Sequence, residues 1–561
     1  MEEELKRSIQ ALYDIEVTPQ ISRPAPEFGD YATNVALQLA KQVGKSPRET
    51  AEEIAESLRG SGQFSDVTIA GPGFINVRVS GVSLAKRLQS EWSDSFGTTN
   101  DGAGKTVVVE YPSPNMAKPY SVGHLRPGNQ GWALRQLLRA TGWTVITDNH
   151  LGDYGAPLGI WITGFRAFSS NEALEKDGVY ELGRVYIATK KALKDEADRG
   201  ETVLADEVQQ WLLKFEAGDS EAVAYSQRFN DISMQHIHTV MRRLNISTDY
   251  ELGEAFFAPK GKAAVQKLLA DGVAVQNEDG SIIVPLDDAG FDVPLLVQKS
   301  NGAALYATTD LATILYREEQ WRPDRVIYAV GAEQQFYFSQ LFAMAKKIGI
   351  TTELIHVWFG TIDQLNDDGT REKMSSRKGV VLMEELLDEA ERKARAIVDG
   401  RDVSDNDVEK IALGAIKFND FIADRRTNIL FDWNTIFALT GMSGPYIQYA
   451  AVRVNKILND NDTGAELVEG YDYTAEKEVL AKLIEYPDVV RRAATELEPH
   501  KVANYLYELA REMNRYYEST QVATDGVEPT VRAARLGVLA KVAAVFNKGL
   551  DLLGIEVPER M

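Results

Sequence analysis

The chain has 561 residues, too many for one hydrophobic core, so several domains are expected. Apolar residues make up 44% and charged residues 26%, as in an ordinary soluble fold, and no apolar run approaches the roughly 20 residues that span a bilayer. Cysteine is absent and histidine numbers only 6, which excludes disulfides and thiolate metal sites, while a net charge of −22 means that any nucleic acid must be met by local basic clusters.

Met-Glu-Glu-Glu-Leu-Lys opens the chain without the pattern of a signal peptide, so a cytoplasmic protein with no membrane partner is expected. Residues 1–80 read as a small α/β domain. Leu5, Ile9, Leu12 and Tyr13 form one helical stripe, and Ala51, Ile54, Ala55 and Leu58 form another. Strand-like Val67-Thr-Ile-Ala and Phe74-Ile-Asn76-Val-Arg-Val79 flank Gly71-Pro-Gly73. Residues 81–105 read as a helix and a polar linker. Gly104-Lys105-Thr106 imitates the end of a phosphate-binding P-loop, but Thr99 stands where that pattern needs glycine and a strand follows instead of a helix.

Residues 106–165 read as the first half of a Rossmann-like parallel sheet. Val107-Val-Val-Glu110 is a strand, Tyr111-Pro-Ser-Pro-Asn-Met-Ala-Lys-Pro-Tyr120 a loop, and Ser121-Val-Gly-His-Leu-Arg126 the entry to a helix marked by Leu125, Leu134, Leu137 and Leu138. Such a junction lies at the carboxyl edge of a parallel sheet, where helix N–H groups favour phosphate. Gly123 permits close approach, His124 offers a donor and Lys118 a charge. Thr144-Val-Ile-Thr then forms a second strand ending at Asn149-His-Leu-Gly-Asp153-Tyr-Gly. Residues 166–294 are charged and largely helical, turning to short strands such as Ser281-Ile-Ile-Val-Pro, and read as an insertion domain. His236 and His238, two apart on a helix, do not share a face, so no protein-held metal is expected.

Residues 295–435 read as the second half-sheet, beginning near Leu295. Tyr306 and Asp310 share one face if a helix starts at Ala307, and Arg325-Val-Ile-Tyr-Ala-Val-Gly331 is a buried strand ending at Glu333-Gln334. Arg371-Glu-Lys373-Met374-Ser375-Ser376-Arg377-Lys378-Gly379 is a cationic, hydroxyl-rich loop before a helix carrying Val381, Leu382, Leu386 and Leu387. Residues 436–561 are helical, with stripes at Val502, Leu506, Leu509 and Met513 and at Leu536, Leu539, Ala543 and Phe546. Arg425-Arg426, Arg491-Arg492, and Arg532 with Arg535 are the basic clusters available to nucleic acid, though each also reads as plain helix surface.

Ser121-Val-Gly-His124 followed by Lys373-Met-Ser375 resembles the paired ATP motifs of class I aminoacyl-tRNA synthetases. Ser113-Pro-Asn115-Met-Ala-Lys118-Pro, Asn149-His-Leu-Gly-Asp-Tyr-Gly, Tyr306-Ala-Thr-Thr-Asp310 and the closing Leu553-Gly-Ile-Glu-Val-Pro-Glu-Arg-Met561 resemble the arginyl-tRNA synthetase family in particular. The fold so implied is a multidomain α/β protein: a Rossmann-like parallel-sheet catalytic core with an insertion domain, a small α/β N-terminal domain and an all-α C-terminal domain. The resemblance implies an ATP-dependent aminoacyl-tRNA ligase with His124, Lys118 and Lys373 as catalytic residues, and Ser121, Gly123, His124, Lys373, Met374 and Ser375 binding ATP. It places Ser113, Asn115, Asn149, Tyr306, Asp310 and Gln334 around arginine. A guanidinium needs a carboxylate, neutral acceptors and an aromatic surface, which Asp310, Gln334 and Tyr306 supply, with Asn149 at the α-amino end. Phe74 and Asn76 match the residues by which the family's N-terminal domain meets the tRNA D-loop. Its partners would be L-arginine, ATP carried with Mg2+, and the tRNA specific for arginine, and the expected state is a monomer. Two positions depart from the family: Ser121 and Tyr337 stand where it has histidine. A non-catalytic tRNA-binding paralogue is therefore the rival reading.

Overall fold

A computed structural model describes residues 1–561 apart from 23, 26, 366–368, 375–380, 462–465 and 525. It divides into two units. One comprises Met1–Phe96, Arg453–Pro487 and Glu508–Phe546, the other Gly97–Val452, Asp488–Tyr507 and Asn547–Met561.

In the first unit, helices Glu2–Tyr13, Val35–Val43 and Pro47–Gly60 cover one face of an antiparallel sheet ordered Ile21–Ser22, Tyr31–Thr33, Phe74–Val79, Phe64–Ala70. Ser46 starts the third helix with a capping box: its hydroxyl accepts from Glu49 N–H while the Glu49 carboxylate accepts from Ser46 N–H. The stripe Ile54, Ala55 and Leu58 meets Leu5, Ile9, Val67, Ile75 and Val77 in the core. Further along the same unit, Glu476 is fully buried and accepts from Tyr516 Oη at 2.9 Å and Arg535 Nε at 3.3 Å. Lys477 Nζ lies 2.8 Å from an Asp30 carboxylate oxygen, tying a helical segment to the small sheet.

The second unit is built on a parallel sheet ordered Glu353–His356, Arg325–Tyr328, Thr106–Glu110, Thr144–Asp148. Val107, Val108 and Val109 are wholly buried, as expected of a strand covered on both faces. Thr106–Glu110 pairs on one side with the next strand in sequence and on the other with Arg325–Tyr328, and ligands favour the carboxyl edge at such a reversal of strand order. That edge is pinned from beneath. Arg317, buried on helix Tyr306–Gln320, reaches Glu110 Oε2 at 2.6 Å and Asp148 Oδ2 at 2.8 Å.

Helices Ala156–Phe168, Asn171–Asp198, Val203–Glu216, Ser220–Arg243 and Glu254–Ala270 precede an antiparallel sheet of Val275–Gln276, Ile282–Val284 and Leu295–Gln298. Two sequence expectations change here. The strand at Leu295 does not open the second half-sheet: Leu295 and Val297 are buried while Leu296 is exposed, the one-sided pattern of an antiparallel strand, and the half-sheet begins at Arg325. Val381 and Leu382 do not belong to the helix after the Lys-Met-Ser loop, which starts at Met383. They pair instead with the loop of residues 111–124 that carries Ser121-Val-Gly-His124, the signature loop, where Val122 N–H donates to Val381 O at 3.0 Å and Met383 N–H to Tyr120 O at 2.9 Å, so backbone groups beside the ligand edge find partners.

Helices Gly444–Asn459, Lys477–Thr495, His500–Ser519 and Pro529–Leu552 dominate the carboxyl-terminal region. Among the described residues no helix is long and apolar enough to cross a membrane.

Candidate active site

The loop after Thr106–Glu110 ends in a short 3-10 turn, Val122–His124, which runs directly into helix Leu125–Ala140. The turn brings His124 back onto its own start. Ser121 N–H lies 3.2 Å from His124 Nδ1 and Ser121 Oγ 3.3 Å from the same nitrogen, while the Tyr120 ring packs 4.8 Å from the imidazole. Burial pushes His124 down to about 4, so the ring is neutral near pH 7. With Nδ1 accepting from a backbone N–H, its proton resides on Nε2, which is the donor a phosphate oxygen would meet. Two residues on, Arg126 is held rigid by Asp420 Oδ1 at 2.7 Å and by the carbonyls of Gly360 and Thr427.

A cavity of about 830 Å³ opens at this edge. Of the residues singled out from sequence, Ser113, Asn115, Ser121, Gly123, His124, Tyr306, Asp310, Gln334, Lys373 and Met374 line it. Lys373 Nζ is 3.6 Å from Glu333 Oε1 across the same wall, and Met374 N–H is anchored on Ile362 O. Asn115 packs where any side chain at position 152 would intrude: a Cβ on Gly152 would fall 2.5 Å from Asn115 Oδ1.

Two expected residues are not on the wall. Asn149 is completely buried and its Oδ1 accepts from Ser113 N–H at 3.1 Å, so its amide holds the loop. Lys118 turns its ammonium over the Tyr186 ring at 5.0 Å, and burial and then Lys190 push it below the ordinary lysine value. Ser375 lies outside the described residues.

The floor of the cavity is acidic. Asp310 is raised to about 6 by burial, against the opposing effects of His150 and of a hydrogen bond donated by the Tyr337 hydroxyl to Asp310 Oδ2. His150 Nε2 lies 3.7 Å from Asp310 Oδ1. Glu254 is raised further, to about 8, by burial and by the charges of Asp310 and Asp153. Two carboxyl groups in one dry recess resist losing both protons, and they would ionise readily beside a cation. Glu254, His150 and the Tyr337 contact were missed in the sequence. Glu254 opens the helix Glu254–Ala270 within a charge-dense segment, and nothing in its spacing to Asp310 signals that they meet. Asp153, which closes the Asn149-His-Leu-Gly-Asp153 run, accepts from Ala255 N–H at 2.7 Å and does not line the cavity. Tyr337 donates its hydroxyl to Asp310 and so closes the acidic recess.

Away from the cavity, Phe74 is 42% exposed while Asn76, on the same strand face, is only 6% exposed, so Phe74 alone presents a surface. The basic clusters are mostly engaged. Arg425 donates to Leu497 O, Arg426 pairs with Glu498, Arg491 with Asp488, and Arg535 with Glu476. Among the described residues, Asp424, Glu498 and His500 bring ligand-type atoms within 4.8 Å of one another, but Arg426 and Lys501 already neutralise the carboxylates.

The family model described as "tRNA synthetases class I (R), catalytic domain" matches residues 91–433, "Arginyl tRNA synthetase N terminal domain" matches residues 1–79 and "DALR anticodon binding domain" matches residues 447–561. The arginine–tRNA ligase of Chloroflexus aggregans is 34% identical over 562 residues, spanning 97% of this chain and 95% of its own. That of Clostridium perfringens is 35% identical over 553 residues, spanning 96% and 95%. Among solved structures, Thermus thermophilus arginyl-tRNA synthetase superposes with a TM-score of 0.80 at 23% identity, covering 100% of this chain and 99% of that one, a likeness of fold.

Proposed function

The chain belongs to the arginyl-tRNA synthetase family of class I, and from that membership we propose how its residues ligate arginine to tRNA. The observation that carries the reading is the acidic recess of Asp310 and Glu254 opening into the same cavity as His124 and Lys373. A guanidinium in that recess meets two carboxylates, with Tyr306 and Gln334 at the rim for the rest of the substrate. Ser113 and Asn115 face the reacting end.

The arginine carboxylate attacks the α-phosphate of ATP and pyrophosphate leaves, and a ribose hydroxyl of the terminal tRNA adenosine then attacks the carbonyl carbon of the adenylate, breaking the mixed anhydride and releasing AMP. No side-chain nucleophile is needed. His124 Nε2–H and Lys373 stabilise charge on the phosphates, and rate comes from positioning and fixed charge. Magnesium enters with ATP, bound by its phosphates and waters. Lys118 acts from outside the wall, lending positive potential to the loop. Ser375 completes the ATP loop.

We assign residues 1–80 to the tRNA D-loop, with Phe74 as the contact surface and Asn76 beneath it. Residues 106–165 and 295–435 are assigned to the two catalytic halves, with the parallel sheet itself resuming at Arg325, 166–294 to the insertion and 436–561 to the anticodon-binding helices. A cytoplasmic monomer is the working form. The test is charging with arginine, ATP and the tRNA specific for arginine: accumulation of arginyl-tRNA, with lysine rejected, is expected. Ser121 in place of the family histidine favours one alternative, a tRNA-binding paralogue without catalysis, and tight tRNA binding with no charging would establish that instead.

A further inference from the structure

The signature loop is held by a cluster that the reaction scheme above does not use. Tyr120 N–H donates to His236 Nε2 at 3.0 Å, and His236 Nδ1 faces Glu384 Oε2 at 3.7 Å. Tyr180 joins them, its hydroxyl donating to the same Glu384 oxygen and its ring edge packing 5.7 Å from the His236 ring. Three helices contribute: Ser220–Arg243, Asn171–Asp198 and Met383–Ile397. The last begins just after the cationic loop, and its first residue Met383 donates to Tyr120 O. Tyr120 therefore has its N–H fixed by one helix and its carbonyl by another, one residue before Ser121 and four before His124.

We propose that His236 is a positioning residue for adenylate formation: as the Nδ1–H tautomer it accepts Tyr120 N–H, faces Glu384, and so fastens the signature loop to the helix that follows the Lys-Met-Ser loop. The inference rests on the ligase reading. It acts only in the neutral ring, because a protonated Nε2 would turn one N–H against another. Burial holds His236 below the ordinary 6.5, opposed by Glu384. The charged group facing it is Glu384, with Glu385 and Asp388 on the same helix facing Tyr180, while on the signature loop Lys118 acts on the neutral His124. Falling pH therefore releases Tyr120 and displaces His124, an effect separate from protonation of the acidic recess, which saturating arginine offsets.

The experiment is arginine-dependent ATP–pyrophosphate exchange by the full chain, with tRNA present and arginine saturating, across pH 5.5 to 8.5. His236→Leu, which cannot accept, is expected to lose at least tenfold in kcat/KM for ATP at pH 8 while its arginine dissociation constant stays within twofold. His236→Gln, which can accept but not titrate, is expected within threefold of the parent at pH 8 and to lack the parent's fall below pH 6.5. Equal damage from both substitutions, an unaltered acid limb in His236→Gln, or a His236→Leu protein indistinguishable from the parent would each overturn the proposal. If His236→Leu does not fold, the pH profile of His236→Gln decides. A parent with no arginine-dependent exchange would instead defeat the ligase reading itself.

Discussion

Arginine binding should release protons, and Glu254 should be their main source. Without substrate, burial places Asp310 at about 6, and burial with repulsion from Asp310 and Asp153 places Glu254 at about 8, so near pH 7 Glu254 is mostly protonated. A guanidinium between them favours both carboxylates, which lowers their pKa values in the complex and ties affinity to pH. The direction is fixed: the complex binds fewer protons than the free protein, so affinity rises with pH and falls as pH drops through 8 and then 6. From pH 8 to pH 6, Glu254 accounts for a loss of roughly 50-fold and Asp310 for about twofold more, or on the order of 100-fold together, about 2.7 kcal/mol. Isothermal titration calorimetry at pH 7 in phosphate and in Tris measures the proton count directly, since the two buffers differ in ionisation enthalpy. We expect close to one proton released per arginine. In Glu254→Gln the count should fall toward zero and the affinity should change only about twofold between pH 6 and 8. A parent whose affinity is flat over this range, or a Glu254→Gln protein that keeps the parent's slope, would refute the assignment.

Asp310→Ala should weaken arginine at least tenfold, because a buried cation left short of its partner costs on the order of 2–5 kcal/mol; calorimetry checks this. His124→Ala should lose roughly 100–1,000-fold in single-turnover adenylation, and Ser121→Ala less than about tenfold, since only His124 aims a ring donor at developing phosphate charge. Because the Tyr337 hydroxyl is committed to Asp310, Ser121→His should equal or exceed the parent in the same assay. Phe74→Ala should raise KM for tRNA and leave the arginine affinity unchanged, as read by charging kinetics and calorimetry. Arg317→Met, which strands Glu110 and Asp148 without a counter-charge in the interior, should cost about 3–5 kcal/mol and appear as a lower melting temperature.

The elements and the chemistry of the two ATP motifs were legible in the chain itself. A run of valines, a Pro-punctuated loop and a Gly-His before a helical stripe can form little other than a strand, a ligand loop and a helix start, because each signal is local and follows from backbone geometry. Tyr306 and Asp310, four apart, likewise needed only the period of a helix to share a face. Local rules failed where the outcome depended on residues distant in sequence. Leu295 has strand composition in either sheet, and its placement was decided by a partner at Ile282–Val284. Val381 and Leu382 fit a helical stripe, but unpaired N–H and C=O groups on the signature loop drew them into an extended pairing.

The polar groups were the least legible. Asn149 sits in a motif that reads as substrate-facing, yet the fold turns its amide onto Ser113 N–H, and Asp153 is consumed by Ala255 N–H. Glu254 becomes a partner of Asp310 only because the insertion helices return to the sheet edge, and its pKa rises because it is buried there beside Asp310 and Asp153. Sequence alone determined which residue types were available and the local elements that carry them. Tertiary structure decided which charges share an interior and which backbone groups must be satisfied there, because desolvation and Coulomb energies depend on distance in space and not on separation along the chain.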